Sequence, residues 1–222
     1  MSELAFDLEC PTIGVVGRGK RFPVRRVWCI GSNYRKPDRD YTIREAPYFF
    51  SKQPDMVLGA GGCMPHPGSG ELRFEVELVV AIGSSGAHIP EREAESLIYG
   101  YATGMDMTRR DLLVAAEKTG KPWEIGKSFD GSAPVGEITP SMRLAPAAAI
   151  QLWQNGTLRQ NSTIDRLIWT VPEIICRLSA LVALAPGDLI FTGTPSGHGP
   201  CQAGDRLEAR IDGLAAVRLT IG

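Results

Sequence analysis

"RFEVELVVAIG", residues 73–83, reads as a β-strand, and it carries two carboxylates, Glu75 and Glu77, inside a run that is otherwise nearly all apolar. Side chains alternate along a strand, so Glu75 and Glu77 point to the same face. Two anions on one face repel. A buried carboxylate is costly unless it is protonated, paired or bound to a metal. The competing reading is an edge strand with one wet face, because alternating polar and apolar strands are common. The surrounding sequence has to choose between them.

The chain has 222 residues, 43 % of them hydrophobic and 22 % charged, the profile of a soluble globular protein with a real core. A net charge of −1 argues against nucleic acid or an anionic membrane as the main partner, since both select basic patches. The 25 Gly and 16 Pro favour many turns and short strands over a helical bundle. Cys10, Cys29, Cys63, Cys176 and Cys201 are odd in number and show no CxxC spacing, so reduced thiols are expected, not a disulfide frame or a zinc site. The opening MSELAFDLEC has no basic region followed by an apolar run, and no stretch is apolar enough to span a membrane. A cytoplasmic location is the expectation, and the sequons at Asn155 and Asn161 then carry little weight.

Residues 1–24 read as an arm and a hairpin, and residues 25–222 as one β-rich domain without repeats or a linker. "RRVWCIG" (25–31) is a strand and "PYFFSK" (47–52) resumes ordered structure after a polar loop at 32–46. Residues 91–98 suit a short helix, and "GYATGMDM" returns as a strand. "TRRDLLVAAEKTG" (108–120) predicts a helix with Thr108 as N-cap and Gly120 as its stop. Asn155-Gly156 between two alternating runs predicts a hairpin. Thr170-Val171-Pro172-Glu173 is a capping box opening a helix through "PEIICRLSALVAL". A strand in "APGDLIFTGTP" and a closing hairpin in "GDRLEARIDGLAAVRLTIG" complete the pass.

Asp106 ends a strand just before the 108–120 helix and is a third carboxylate able to converge on Glu75 and Glu77. Three oxygen ligands with room for water suit Mg²⁺ or Mn²⁺, and the lack of clustered His or Cys disfavours zinc or copper. A dication also accounts for the like-charge pair, because it inverts the local pKa logic. Spacing alone leaves this reading level with a polar sheet edge.

"FEVELVVAIG", "GYATGMDMTRRD", "GKPWEIGKSFDGSAPVG", "NGTLRQ", "VPEII" and "PGDLIFTGTPSGHGP", in this order, closely resemble the fumarylacetoacetate hydrolase family from about Val27 to the C-terminus. Within it, the chain is most similar to the small bacterial fumarylpyruvate and acylpyruvate hydrolases. The resemblance implies a mainly β (α+β) fold, a mixed β-roll with two or three short helices, paired into a homodimer. It implies Glu75, Glu77 and Asp106 as ligands of Mg²⁺ or Mn²⁺, which would hold the 2-oxo acid end of the substrate and stabilise the enolate formed as a C–C bond breaks. Lys127 would steady charge on the carbonyl oxygen under attack. Arg110 would contact the substrate carboxylate or the metal-bound oxygens as a fork, and Thr194 would contact substrate. Arg109 is expected to be solvated.

The sequence departs from the family pattern in one functional segment. Family members follow Gly-x-Asn-Tyr with a lid bearing His-x-x-Glu, which activates water as a general base. After Gly31-Ser32-Asn33-Tyr34, this chain has no histidine in the lid window of about 32–46, and Pro37 falls where one is expected. The segment is about three residues shorter than the pattern requires. Either the lid is rebuilt or part of it is missing from the sequence. Leu113 and Ser32 replace a common glutamine and arginine, and His198 replaces a small apolar residue. His198, Asp38, Asp40 and Glu45 are the substitute bases on offer, and Arg35, Lys36, Arg39 and Arg44 the candidate readers of a distal carboxylate.

Three functions compete. The first is hydrolysis of a 3-acylpyruvate such as fumarylpyruvate to pyruvate and a carboxylic acid. The second is decarboxylation or tautomerisation of a 2-oxo dicarboxylate such as oxaloacetate, which needs the metal-held enolate but no activated water. The third is a metal-binding homologue without activity.

Overall fold

All seven residues of the strand Val76–Ile82 are buried. The structure is a computed structural model that describes residues 5, 7–36, 38–68, 70–140 and 143–222; Pro37 and the first four residues of the N-terminal arm lie outside the described residues. Val76–Ile82 lies inside an eight-stranded mixed sheet. The order across it is Phe49–Lys52, Arg26–Ile30, Asp188–Phe191, Val76–Ile82, Ile98–Met105, Ala133–Val135, Val57–Gly59, with Thr139–Pro140 also paired to Ile98–Met105. Most of these pairs are antiparallel; Asp188–Phe191 runs parallel to Arg26–Ile30, and Ala133–Val135 parallel to Val57–Gly59.

Both faces of the central strand are covered, which explains its unbroken apolar run. Val79 and Ala81 face a core shared with Val27, Cys29, Phe191 and the hairpin residues Ile13, Val15 and Phe22. Val80 and Ile82 pack with Ile174, Ile175 and Leu178. Leu78 joins Phe74, Met105, Ile150, Leu152 and Leu219 in the third core. That core lies against a five-stranded sheet ordered Thr157–Thr163, Ala149–Gln154, Arg206–Ile211, Val217–Ile221, Cys63–Met64. The edge-strand reading of residues 73–83 is therefore excluded.

One strand over 73–83 is also a correction. Leu72–Phe74 belongs to a separate three-stranded sheet with Thr108–Arg109 and Gly199–Cys201, and Val76–Ile82 belongs to the large sheet. Glu75 stands at the corner between the two. The backbone N–H of Asp106 donates to the Glu75 carbonyl at 2.8 Å, so the corner stays in register with the end of Ile98–Met105.

Three α-helices occur among the described residues: α1 Arg110–Thr119, α2 Glu124–Lys127 and α3 Val171–Ser179. Gly120 closes α1 in the left-handed region at φ 63°. Thr108 does not cap it: Thr108–Arg109 is a two-residue strand, and α1 begins only after it. Glu173 accepts the Thr170 N–H at 2.8 Å, as the capping box requires, but α3 ends at Ser179, short of the apolar run to Leu184. Residues 91–98 form a 3₁₀ helix, Glu91–Leu97. Asn155 (φ 52°) and Gly156 (φ 80°) make the expected tight hairpin turn. Short strands Val57–Gly59 and Cys63–Met64 and helix α2 add to the described elements. The architecture is mainly β, with curled mixed sheets and few helices.

Candidate active site

Carboxylate oxygens of Glu75, Glu77 and Asp106 lie within 4.8 Å of one another. Glu75 sits at the corner between sheets, Glu77 on the central strand, and Asp106 just past Ile98–Met105. Glu77 and Asp106 are buried. Glu77 accepts the backbone N–H of Gly193 at 2.7 Å. Burial, then the charges of Asp106 and Glu75, push the Glu77 carboxyl well above the usual carboxylate range, against the pull of that N–H and of Lys127. An all-oxygen donor set crowded enough to raise one carboxyl fits a hard divalent cation. The Cys29 thiol is pushed up by burial and then by Asp106, and Cys29 is not part of the convergent donor set.

Two lysines face this centre. Lys127, at the end of α2, donates to Asp106 Oδ2 at 2.7 Å, to Glu75 Oε2 at 3.0 Å and to Thr108 Oγ1 at 2.7 Å. These contacts occupy all three ammonium hydrogens. Burial works against the Lys127 charge, but Asp106 and then Glu75 outweigh it and raise its pKa. Thr108 is thus a partner of Lys127, not a helix cap. Lys52, at the end of Phe49–Lys52, lies 2.8 Å from Asp106 Oδ1 and donates to the carbonyls of Met107, at 3.2 Å, and Lys127. Burial raises the Asp106 carboxyl, but Lys127 and then Lys52 hold it below the ordinary range. With three carboxylates against two ammonium groups, one negative charge is uncompensated when all are ionised.

The carboxylates and Lys127 open into a cavity of about 350 Å³ whose wall also includes Arg110, Leu113, Thr194 and His198. Tyr48, Phe50 and Trp123 form an aromatic side, with Tyr48 and Trp123 edge to face at 5.6 Å. Arg110, the first residue of α1, is paired with Glu117 at 3.5 Å, and both line the cavity. Thr194 Oγ1 accepts from Gln160 at 2.8 Å. Arg109 is half-buried and its Nε has no partner among the described residues, so it is not the solvated side chain expected.

Of the basic residues in the 32–46 segment, Lys36 and Arg39 line the cavity. Arg44 instead bonds Glu173 at 2.8 Å and stacks 4.0 Å over Trp169. Arg39 pairs with Glu45 at 2.8 Å. Asn33 anchors the start of the segment: its Nδ2 donates to the carbonyls of Trp169 and Thr192, and its Oδ1 accepts the Trp169 N–H. His198 lies on the cavity wall, whereas Asp38, Asp40 and Glu45 are not among its lining residues.

Sequence reasoning missed Lys52, Gln160 and Asn33 as site residues. Lys52 left one faint signal, a lysine closing an apolar strand. Asn33 and Gln160 fell inside motifs whose physical use was not visible in one dimension.

Residues 26–222 match the family model described as fumarylacetoacetate (FAA) hydrolase C-terminal. The chain belongs to the fumarylacetoacetate hydrolase family. A fumarylpyruvate hydrolase of Ralstonia sp is 43 % identical over 185 residues, covering 82 % of this chain and 96 % of the relative. A mitochondrial oxaloacetate tautomerase of Mus musculus is 36 % identical over 211 residues, covering 90 % and 96 %. The crystal structure of fumarylpyruvate hydrolase from Pseudomonas aeruginosa, in complex with Mn²⁺ and pyruvate, is 43 % identical and superposes with a TM-score of 0.91 over 99 % of each chain. Within this family fold, the carboxylate cluster, Lys127, Arg110 and Thr194 come together in one cavity.

Proposed function

We propose that this protein is a metal-dependent hydrolase that cleaves the C–C bond of a 3-acylpyruvate, of the fumarylpyruvate type, to pyruvate and a carboxylic acid. The observation that carries the reading is the convergence of Glu75, Glu77 and Asp106 beside Lys127 on one cavity. Those three carboxylates would hold Mg²⁺ or Mn²⁺, which supplies Lewis-acid stabilisation for the oxygens of the 2-oxo acid end. The similarity to fumarylpyruvate hydrolases supports the substrate class.

Arg110 projects a planar donor fork into the cavity and would hold the substrate carboxylate by exchanging its long contact with Glu117 for a shorter one. Lys127 would reach a substrate oxygen only by releasing one of its three present acceptors, and Glu75 is the longest of them. Its ammonium then steadies charge where the acyl carbonyl is attacked. Water adds to that carbonyl carbon and gives up one proton, the bond to the methylene breaks, and the electron pair becomes the pyruvate enolate. A proton taken up on the methylene carbon completes pyruvate. Thr194, on the cavity lining, would orient the substrate. The 32–46 segment would act as the lid, with Lys36 and Arg39 its cavity-facing charges. A homodimer in the cytoplasm is part of the same proposal and rests on the family resemblance; light scattering tests the dimer.

Two observations favour a second reading in the same fold. The 32–46 segment has no histidine, and the chain is also similar to oxaloacetate tautomerases. Tautomerisation or decarboxylation of oxaloacetate needs proton movement around an enolate but no attacking water. Product analysis separates the two: pyruvate and an equimolar carboxylic acid from an acylpyruvate support hydrolysis. Conversion of oxaloacetate with acylpyruvates left intact would replace it with the second reading.

A further inference from the structure

The strand Thr157–Thr163 has one buried residue, Gln160, and it is polar and completely shielded from solvent. A buried amide in a wet strand is retained at a cost unless its donors and acceptor are used. Gln160 uses them. Its Oε1 accepts the backbone N–H of Val76 at 2.9 Å, and its Nε2 donates to Thr194 Oγ1 and to the Pro195 carbonyl, both at 2.8 Å. The amide orientation follows from chemistry, since a backbone N–H can only donate and a carbonyl can only accept.

We infer that Gln160 is a positioning residue that couples the carboxylate centre to the Thr194 wall of the cavity. Val76 is the residue between Glu75 and Glu77, and its N–H belongs to the peptide joining it to Glu75. Holding that peptide plane sets the direction in which the chain turns the corner, and with it the aim of both carboxylates. On the other side, Thr194 Oγ1 already accepts from Gln160, so the hydroxyl's own hydrogen is left to donate into the cavity. One amide therefore orients the site from two sides.

Two further features show that this contact is built into the fold. The pairing of Ala149–Gln154 with Thr157–Thr163 slips between Leu152 and Trp153, which sets Gln160 opposite Leu152. Gly197, at φ 99°, brings its loop so close that an added Cβ would lie 2.1 Å from the Arg159 carbonyl oxygen. The Thr194–Gly197 loop rests directly on Arg159 and Gln160.

The Thr194 half of this inference rests on the hydrolase reading; the metal half does not. The test is Mn²⁺ affinity, read by titration without turnover, together with KM for an acylpyruvate. Gln160→Met keeps the shape and removes all three hydrogen bonds. It should weaken Mn²⁺ binding about tenfold, the low end of losses for residues behind a metal ligand, and raise KM. Thr194→Val should raise KM with Mn²⁺ affinity unchanged, and adding Gln160→Met to it should give no further rise in KM. Gln160→Glu keeps the acceptor for Val76 and loses the donors. It should bind Mn²⁺ at least as tightly as the wild type while raising KM, and it decides the matter if the Met variant does not fold. Wild-type Mn²⁺ affinity in folded Gln160→Met overturns the inference, as does weakened Mn²⁺ binding in Gln160→Glu. If the wild type cleaves no acylpyruvate, the hydrolase reading fails, while the Mn²⁺ affinities still decide for or against Gln160.

Discussion

Lys52 carries a charge that solvent does not reach, and Asp106, in salt-bridge contact at 2.8 Å, is its counter-ion. Replacing it by Met leaves Asp106 with Lys127 as its one remaining cation, and breaking a buried pair in this way costs about 3–5 kcal/mol. Urea unfolding of Lys52→Met should show a loss of that order; an unchanged midpoint would refute the pairing. Glu77 presents the opposite situation. Its carboxyl is raised by burial and by Asp106 and Glu75, so the metal-free fold favours its protonated form. With a raised folded value, that stability is present below the ordinary carboxylate range and lost as pH rises through the shifted value. A dication relieves the repulsion, so the rise in Tm on adding Mn²⁺ should be larger at mildly alkaline than at mildly acidic pH. Thermal melts with EDTA or Mn²⁺ measure it, and an increment that shrinks with pH would count against a metal at Glu77. Like charges on an apolar strand singled out Glu75 and Glu77 in the sequence, but spacing left a polar sheet edge equally open, and only the family resemblance joined them to Asp106 as a ligand set. Lys52 and Gln160 were not legible, because their partners are 54 and 84 positions away, at Asp106 and Val76.

The segment after Asn33 contains a single isolated bridge, Tyr34 to Leu167, among its described residues, so contacts to other elements hold it in place. Arg44 is the main tie, through Glu173 in the first turn of α3, the Trp169 ring and the Ile168 carbonyl. Burial raises the Glu173 carboxyl, but its bonds to Arg44 and to the Thr170 N–H outweigh this and lower it. For a depressed carboxyl, the stabilisation is present above the ordinary carboxylate value and is lost as pH falls through the folded one. Arg44→Ala should therefore speed proteolytic cleavage within residues 32–46 several-fold at neutral pH, and acidification should produce the same sensitivity in the wild type. Cleavage rates equal to wild type would show that the tie does not hold the segment. The α3 start was readable because the capping box is local. Its end was not: the apolar run continues past Ser179, yet Leu184 packs in the core from a bridge to Gly86 and not from a helix. Thr108 misled for a related reason. A hydroxyl before a helical run reads as a cap, but here it sits in a short strand and accepts from the Lys127 ammonium, supplied by a distant element.

At the scale of the molecule, the large sheet is packed on both faces, and the carboxylates stand where it meets the three-stranded sheet and the Thr192–Pro195 turn. Apolar strand runs and turn signals made the mainly β character readable in advance, whereas the division of residues 72–82 between two sheets was invisible, since a chain that turns a corner keeps the same residue pattern. That corner lets Glu75, at the junction, and Glu77, on the large sheet, converge on Asp106. Under the proposed function, this convergence builds a metal site for C–C bond hydrolysis. The most direct measurement is the Mn²⁺-dependent loss of acylpyruvate enol absorbance, with pyruvate quantified, in the wild type and in Glu75→Ala. The wild type should release pyruvate in a metal-dependent manner, and the variant should fall by at least about a thousandfold, on the order of 4 kcal/mol of transition-state stabilisation. Mn²⁺ binding by the wild type without any acylpyruvate cleavage, or cleavage undiminished in Glu75→Ala, would contradict the proposed function.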